Sequence, residues 1–359
     1  ASDVYKRQRQ INWDNIYQVN LMNCQQYDRD PDLVGQSSYI LEDRHSNFTQ
    51  WMLNSYLDYR LSDSMTLQGG VSFDYTDGHY FKTVRDLLGG EFWRDVDNFA
   101  ETDFAGDPDK LQNDMRNPNR KVGQGGTFGY DYNIRNYHGR LWVQNQVNTR
   151  HFNVNYALEY NLVSFMRHGN MQNGRAPLNS LGDGKSHTFN TGALKLGATW
   201  KIDGRNYISA HYGMGNRAPL PNDAYVSPRT KDDAVRDLKT EKYISADLSY
   251  TWNYNRFRGS VTAFLTHTWD GMKRSNFYDY EANSFMNYAI SGMETEMKGI
   301  EVGMEYKILS NLSVTAAGTF SRYQYKNNPM GTRSYENGAK DDIERRLYYK
   351  NYHLSLIHI

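Results

Sequence analysis

The feature that most constrains the fold of this chain is a strict two-residue alternation of apolar and polar side chains. The alternation is clearest in five segments, at residues 152–162, 244–253, 260–266, 300–308 and 312–321. Successive side chains of a β-strand point to opposite faces, so each segment has one apolar and one wet face. A helix would spread the same residues around its circumference. The pattern therefore predicts an all-β protein.

The connections between the segments alternate between short and long. We predict strands near 48–60, 66–76, 133–146, 151–165, 187–202, 207–215, 241–254, 257–270, 285–308 (with an interruption at Gly292) and 312–326, and one starting around Arg346. Tight turns are predicted at 61–64, 148–150, 203–206, 255–256 and 309–311, where Asp203-Gly204 is the clearest hairpin signal. Long polar connections are predicted at 77–131, 166–186, 216–240, 271–284 and 327–344.

Short turns at one end and long loops at the other are typical of an antiparallel transmembrane β-barrel of the outer membrane. In such a barrel the turns are periplasmic and the loops extracellular. The apolar faces meet lipid, and the faces that carry Glu159, Asp247, Glu301 and Glu305 line the lumen. Tyr and Trp near strand ends fit interfacial girdles. The alternative for these aromatics is cross-strand packing in a soluble sheet.

The composition agrees with strands and excludes several classes of protein. The chain has 29 Tyr and 14% aromatic residues, whereas disordered chains are poor in aromatics. Lys plus Arg and Asp plus Glu both number 41, so a broad basic field for nucleic acid is not expected. The single cysteine, Cys24, excludes a disulfide framework within this chain. We expect Cys24 to be inert.

The two ends carry a signature of DNA sequencing rather than of protein. Residues 1–8 (ASDVYKRQ) are encoded by GCG-TCA-GAT-GTG-TAT-AAG-AGA-CAG, and residues 354–359 (LSLIHI) by CTG-TCT-CTT-ATA-CAC-ATC. The two sequences contain reverse complements of each other and correspond to a transposase adapter. We therefore expect 1–8 and 354–359 to be non-native, and 9–353 to be a partial barrel cut from a longer gene.

Catalytic and cofactor motifs fail on inspection, so we predict no enzyme, no cofactor and no metal site. Gly182–Ser186 (GDGKS) ends like a phosphate loop, but Asn179 stands where its first glycine belongs. Asp28, Asp30 and Asp32 have the spacing of a calcium loop. The glycine and the bidentate acid that such a loop needs are replaced by Leu33 and Tyr39.

The predicted connection 77–131 is far longer than the ~12–15 residues usual for a structureless loop. Long loops of this kind are often functional. Two interpretations stay open: the aromatics and arginines contact a ligand, or the aromatics pack the loop against the barrel rim. A short helix at Leu87-Leu88, ending at Gly89-Gly90, is also expected. The residues concerned are Tyr80, Phe81, Arg85, Phe92, Trp93, Arg94 and Asp95.

Three motifs resemble the barrel of TonB-dependent receptors. They are Asn216-Arg217-Ala218-Pro219, then Tyr225–Pro228 (YVSP), then Asp237–Lys242 (DLKTEK) leading into a strand. Thr240 stands where that family usually has proline. Asn287-Tyr288, Gly292 and Lys298–Glu301 (KGIE) are similar to the next strand of the family. The resemblance covers most of 48–326, and its motifs lie between 216 and 308.

The resemblance implies a barrel of about 22 strands with a plug domain in its lumen, of which this chain is roughly half. It implies a receptor that binds a scarce nutrient (an iron chelate, cobalamin or an oligosaccharide) and imports it with energy from TonB. The expected partners are outer-membrane lipid, TonB through a missing N-terminal segment, a small nutrient and, as an open alternative, a surface lipoprotein. Individual ligand-binding residues are not predicted.

Other functions remain as alternatives. A passive porin-like channel would lack the Arg217 and Lys239–Glu241 motifs and an upstream plug. A membrane-embedded hydrolase would need a converging nucleophile and base, which His151, His187, His211 and His267 do not offer. A secreted carbohydrate-binding β protein is the third alternative.

Overall fold

The chain folds into one large antiparallel sheet with loops packed at one end. The computed structural model describes residues 11–25, 31–97, 100, 104, 106–279, 284–335 and 343–352. The expected adapter residues 1–8 and 354–359, and Asp28 and Asp30, lie outside these ranges. No helix in the described part of the chain has the length and apolar character needed to cross a membrane.

The strands in chain order are β1 (Leu41–Ser62), β2 (Met65–Asp86), β3 (Trp93–Arg94), β4 (Lys121–Val122), β5 (Thr127–Asn148), β6 (Phe152–Gly169), β7 (Gly182–Asp183), β8 (His187–Lys201), β9 (Asn206–Arg217), β10 (Glu241–Asn253), β11 (Phe257–Asp279), β12 (Ser284–Leu309), β13 (Leu312–Tyr325), β14 (Met330–Tyr335) and β15 (Ile343–Arg346). Among the described residues, α-helices with defined bounds are α1 (Trp13–Gln25) and α2 (Pro221–Ala224). Short 3-10 helices cover Pro31–Leu33 and Pro108–Leu111.

The main sheet follows the order β1-β2-β5-β6-β8-β9-β10-β11-β12-β14-β15. Each long strand therefore pairs with the one before it in the chain, as an up-and-down barrel wall requires. Within the described residues this path holds eleven strands, half of the about 22 that the resemblance implies. The sheet stays open, with β1 at one edge.

The strand registers give the sheet one apolar and one polar face. Leu248 pairs with Ala210 and Ala263, and its side chain is 55% exposed. The next residue, Ser249, pairs with Ser209 and Thr262 on the opposite face. The same alternation holds in the segments where the sequence predicted it, so the predicted faces are confirmed there. We call these the apolar face and the polar face.

The two ends of the sheet also differ as predicted. Trp200 of β8 pairs with Ile208 of β9 beside the tight 202–205 turn. The pair Arg217–Glu241 of β9 and β10 lies at the other end, where residues 218–240 connect the strands. The prediction that 203–206 and 216–240 occupy opposite ends is confirmed. We call these the turn end and the loop end.

Two predicted connections were wrong because the strands run further toward the loop end. β2 continues to Asp86 and β5 begins at Thr127, so the long connection is 87–126 rather than 77–131. The predicted connection 271–284 is mostly strand, since Lys273 pairs with Ile290 and Arg274 with Ala289. Where both faces of a strand are polar, the alternation that reveals it disappears.

Gly292 marks a break in the neighbour of β12 rather than in β12 itself. Residues 295–309 of β12 pair with β13, and residues 286–291 pair with β14. The two partners lie end to end, separated by residues 326–329. Gly292 adopts φ +70°, a conformation suited to glycine. The side chain of Asn327 bridges the break: its Nδ2 donates to the Gly292 carbonyl at 2.7 Å, and its Oδ1 accepts from the Glu294 N–H at 3.0 Å.

The strand expected to start around Arg346 instead ends there, as β15, and β14 was not predicted. The helix α1 was also not predicted. Its Asn20 is fully buried and donates to the carbonyls of Tyr39, Leu87 and Leu88 at 2.8–3.1 Å. The expected helix at Leu87-Leu88 was wrong, because Leu88 (φ 51°) and Gly89 (φ 92°) form a turn.

The two faces make a direct prediction for the complete barrel. Leu248→Arg should lower the free energy of unfolding by about 2–4 kcal/mol, the cost of Arg at the bilayer midplane. Ser249→Arg should cost only about 0.5–1.5 kcal/mol, because it loses one hydroxyl hydrogen bond, to Thr262 at 2.8 Å. A lipid-folding titration of the full-length protein measures both. Equal losses would show that the faces are assigned wrongly.

Candidate functional site at the loop end

The connection 218–240 folds back over the polar face at the loop end. Ala224, at the end of α2, and the next residue, Tyr225, are both fully buried. They pack against Tyr132 and Ile134 of β5 and Phe165 of β6. These strand residues share the polar face with Glu159. Phe165 lies six residues further along β6, and Ile134 and Tyr132 pair with Arg167 and Gly169, which lie eight and ten residues further, all even separations that keep the same face. The connection is therefore part of a packed core.

The buried guanidinium of Arg167 ties two connections to β6. Its side chain is 2% exposed, and its Nε donates to the Pro228 carbonyl at 2.7 Å. Its Nη1 donates to the Ser180 carbonyl at 2.9 Å. The guanidinium also lies 5.4 Å from the centre of the Tyr132 ring, within the range of a cation–π contact. Connections 170–186 and 218–240 are thus held by one residue.

The motifs that carry the family resemblance meet at this end of the sheet. Arg217 forms a cross-strand ion pair with Glu241, where β9 passes to β10. Both residues, with Ala218, Pro219 and Lys239, line a cavity of about 160 Å³. The motif around Arg217 and the motif around Glu241 are therefore neighbours in space. They lie at the beginning and the end of the connection 218–240.

A larger cavity of about 620 Å³ opens beside Tyr225. Its wall combines residues of two connections, 184–186 and 218–240, with one residue each of β8, β14 and β15. The lining residues are Lys185, His187, Val226, Asp232, Asp233, Ala234, Arg236, Thr332 and Glu344. His187 faces the polar side of the sheet, since it pairs with Phe165.

Most of the charges in this wall are already paired. Arg236 Nη1 lies 2.9 Å from Glu344 Oε2, and Asp233 is 2.8 Å from Lys231 Nζ. Asp232 Oδ2 accepts a hydrogen bond from the backbone N–H of Lys185 at 2.8 Å. Within the described residues, Asp232 Oδ1 and His187 Nε2 are buried and have no hydrogen-bond partner.

Burial shifts the pKa of two residues at this cavity, Asp232 in its wall and Tyr225 beside it. It is the main cause that raises the pKa of the Asp232 carboxyl above its usual range, even though the Lys185 N–H stabilises the anion. It likewise raises the pKa of Tyr225, whose hydroxyl has no hydrogen-bond partner among the described residues. Unsatisfied buried polar groups are costly, and they are often satisfied by a bound ligand or water. The wall is therefore suited to bind a molecule that both donates and accepts hydrogen bonds.

His211, His267 and Gly182-Asp183, all singled out in the sequence, make contacts within the sheet. Across the described part of the chain, no group of three His, Cys, Asp or Glu side chains could hold a metal ion. His211 Nδ1 lies 2.8 Å from Asp247, and His267 Nε2 lies 2.8 Å from Glu294. Each of these histidines is engaged by a neighbouring strand or connection. Gly182-Asp183 forms β7, which pairs with His168 and Gly169 rather than opening a helix.

The connection 87–126 uses several of its singled-out residues for packing. Phe92 and Asp95 are buried, and the Trp93 ring lies edge-on to Phe128 at 6.0 Å. Asp95 accepts hydrogen bonds from Asn113 Nδ2 and from the Gly129 N–H at 2.9 and 2.8 Å. These contacts support the packing interpretation for Phe92, Trp93 and Asp95. Contact of this connection with a ligand stays a prediction.

Sequence reasoning did not single out His187, Asp232 or Arg167 as a group. Asp232 and Asp233 fall in the predicted connection 216–240, and Arg167 falls in the predicted connection 166–186. Their proximity depends on the folding back of 218–240, which has no local signature.

We predict that Arg167 holds the two connections in place. Arg167→Met should leave the carbonyls of Ser180 and Pro228 unsatisfied, at about 1–3 kcal/mol each. Amide hydrogen exchange in 170–186 and 218–240 of the full-length protein should rise at least tenfold, while β5 and β6 stay protected. Arg150→Met, in an exposed turn at the other end, is the matched control. Unchanged exchange in both connections would contradict the role.

Comparison with known proteins gives a consistent result. The family model described as "TonB dependent receptor-like, beta-barrel" matches residues 2–352. No curated protein sequence matches the chain.

Solved structures show the same fold. The copper transporter OprC aligns with a TM-score of 0.55 and 11% identity, over 81% of this chain and 43% of its own. The FrpB iron transporter from Neisseria meningitidis (F3-3 variant) gives 0.52 and 13%, over 81% and 40%. Unliganded ferric citrate transporter FecA gives 0.50 and 9%, over 81% and 40%. The chain thus spans less than half the length of each of these proteins.

Proposed function

The chain belongs to the TonB-dependent receptor family, and we propose that it forms part of the wall and outer vestibule of a transporter that imports a scarce nutrient with energy from TonB. The family is one of the Gram-negative outer membrane, so the apolar face is the lipid face and the polar face lines the lumen. The loop end is then extracellular. The members of the family are receptors and transporters rather than enzymes.

The observation that supports nutrient binding is the 620 Å³ cavity on the lumen side of the loop end. Its size falls within the about 300–1,000 Å³ of small-molecule sites. Asp232 Oδ1 and His187 Nε2 supply buried hydrogen-bonding groups without protein partners in the described residues. A nutrient that arrives from outside meets this wall before it reaches the membrane-spanning part of the lumen.

The remaining parts of the transporter are proposed from the family. We propose that 9–353 is native sequence, and that a plug with its TonB-contacting segment and the other half of the barrel belong to the same protein. A surface lipoprotein over the loop end is a compatible partner. Iron chelates, cobalamin and oligosaccharides are all candidate nutrients. OprC is a copper transporter, FrpB an iron transporter and FecA a ferric citrate transporter.

Energised import can be separated from passive diffusion in cells. Cells that carry the full-length gene should take up a ferric catecholate, cyanocobalamin or a malto-oligosaccharide at least tenfold faster than cells without it. That uptake should disappear when TonB is deleted or the proton gradient is collapsed. A passive porin-like channel predicts uptake that survives both treatments. Such survival would refute the proposed energy coupling.

The role of Asp232 is testable apart from the role of the whole protein. The folded-state pKa of its carboxyl is raised, so ionisation at neutral pH costs folding free energy that Asn would not cost. Asp232→Asn should therefore leave thermal stability unchanged or higher at pH 7. Affinity for the transported nutrient should fall about tenfold, as expected for one hydrogen bond to a charged group. Asp203→Asn, in a turn at the other end, is the control.

An Asp232→Asn receptor with full affinity would exclude this cavity as the binding site. Deletion of 91–121 tests the other candidate, the connection 87–126. If the shortened receptor assembles and binds with unchanged affinity, that connection only packs or shields.

A further inference from the structure

The turn Gly182–Ser186 (GDGKS), whose sequence ends like a phosphate loop, is fixed to β6 at the loop end. The Asp183 carboxylate lies 2.5 Å from His168 Nδ1. The N–H of the next residue, Gly184, donates to the Arg167 carbonyl at 2.8 Å. Two consecutive residues of the turn are therefore held by the strand. We call 182–186 the GDGKS turn.

The Asp232 carboxylate, which comes from the connection 218–240, lies against this turn. Its Oδ2 accepts a hydrogen bond from the Lys185 N–H at 2.8 Å. The backbone N–H of Asp232 donates to the Asn179 carbonyl at 2.9 Å, and Asn179 Nδ2 donates to Asp233 Oδ1 at 2.7 Å. Both the main chain and the carboxylate of Asp232 are therefore held by the connection 170–186.

The missing side chain of Gly184 leaves the space that this carboxylate occupies. A Cβ atom on Gly184 would overlap with Cγ and with both carboxylate oxygens of Asp232. Gly184 does not have a positive φ, so its backbone conformation is open to any residue. The overlap concerns only the end of one flexible side chain. Alanine at this position would therefore displace the carboxylate and leave the backbone of the turn in place.

The arrangement leaves one carboxylate oxygen for the cavity. Oδ2 is bonded to the turn, whereas Oδ1 is buried and has no hydrogen-bond partner within the described residues. Asp232 lines the 620 Å³ cavity. Hydrogen bonds to an ionised acceptor are about twice as strong as those between neutral groups. A molecule in the cavity that offers an O–H or N–H group to Oδ1 would therefore gain a strong bond.

The comparison with a phosphate loop explains what the turn does instead. In a phosphate loop, backbone N–H groups of a glycine-rich turn bind the anion of a nucleotide. Here the Lys185 N–H binds an anion that belongs to the chain itself. Asn179, which stands where the phosphate loop has its first glycine, holds the segment that carries this anion.

We propose that the GDGKS turn positions the Asp232 carboxylate for the nutrient, and that Gly184 is the residue that sets this position. The inference rests on the proposed function of the cavity as the nutrient site. Gly184 is a positioning residue, because it acts through Asp232 and contacts no ligand itself. The nutrient presents an O–H or N–H donor to Asp232 Oδ1, and an anionic group at the same place is repelled.

Gly184→Ala in the full-length receptor tests this role through uptake kinetics in cells. The probe is whichever of a ferric catecholate, cyanocobalamin or a malto-oligosaccharide the cells take up. The KM should rise about 3- to 10-fold, the effect of losing one hydrogen bond. The maximal rate per assembled receptor should stay unchanged, because only binding is weakened. Gly204→Ala is the matched control: Gly204 lies in a turn at the other end, without positive φ and with open space around its Cβ position.

A double variant separates positioning from a general effect on the fold. Gly184→Ala combined with Asp232→Asn should have the same KM as Asp232→Asn alone, because the position of the carboxylate no longer matters once the carboxylate is gone. Effects that multiply in the double variant would overturn the proposal. A KM unchanged by Gly184→Ala but raised by Asp232→Asn would also overturn it.

Amide hydrogen exchange of the purified full-length receptor tests the contact without a nutrient. Exchange at the Lys185 amide should be at least tenfold faster in Gly184→Ala, while the amide of residue 184 stays protected by the Arg167 carbonyl. Asp232→Ala should have the same effect, and it replaces Gly184→Ala if that variant does not assemble.

Unchanged exchange at Lys185 in these variants would overturn the positioning role, whether or not a nutrient is transported. Faster exchange at Lys185 in a receptor without TonB-dependent uptake would support the contact and overturn the proposed function. The two failures are therefore distinguishable.

Discussion

The structure depends on the need to satisfy every backbone N–H and C=O group inside lipid, where water offers no partner. Neighbour-to-neighbour antiparallel pairing meets this need strand by strand along the whole sheet. Once the backbone is satisfied in this way, the side-chain period of two leaves each strand with one face for lipid and one for the lumen. Leu248 lies on the lipid face, and the next residue, Ser249, lies on the lumen face. The loops are then free of the membrane constraint, and can fold by the rules of a soluble protein.

The loop end shows what those rules produce. A small core of Tyr132, Ile134, Phe165, Ala224 and Tyr225 forms above the membrane, on the lumen side of the wall. A buried guanidinium in that core joins two connections by their carbonyl groups. The same burial that stabilises the connections leaves Asp232 and His187 with unmet hydrogen-bonding capacity. Rigidity and binding capacity thus arise from the same packing.

The sequence predicted the membrane-spanning part of the fold well, because lipid on one side and water on the other enforce the alternation that Leu312–Phe320 displays. The tight turns followed from their short polar spacing. The sequence failed where both faces are wet: 77–86, 127–131 and 271–279 are strands without alternation. It also failed for α1, which is held by the long-range hydrogen bonds of Asn20. The residues of the candidate site could not be predicted, since Lys185, His187, Asp232 and Glu344 come from separate connections and strands that meet only in the packed fold.

The break opposite Gly292 has a consequence for how the wall comes apart. A continuous ladder transmits fraying from its free end, because each broken pair exposes the next one. Here the ladder on β12 is interrupted, and the side-chain amide of Asn327 bridges the gap beside the backbone bond from the Lys326 N–H to the Glu294 carbonyl. Thermal opening of β14 and β15 can therefore stop at this residue, and the pairs of β12 with β13 inside the membrane stay protected. The outer segment and the spanning segment of one strand are in this sense separate units of cooperativity.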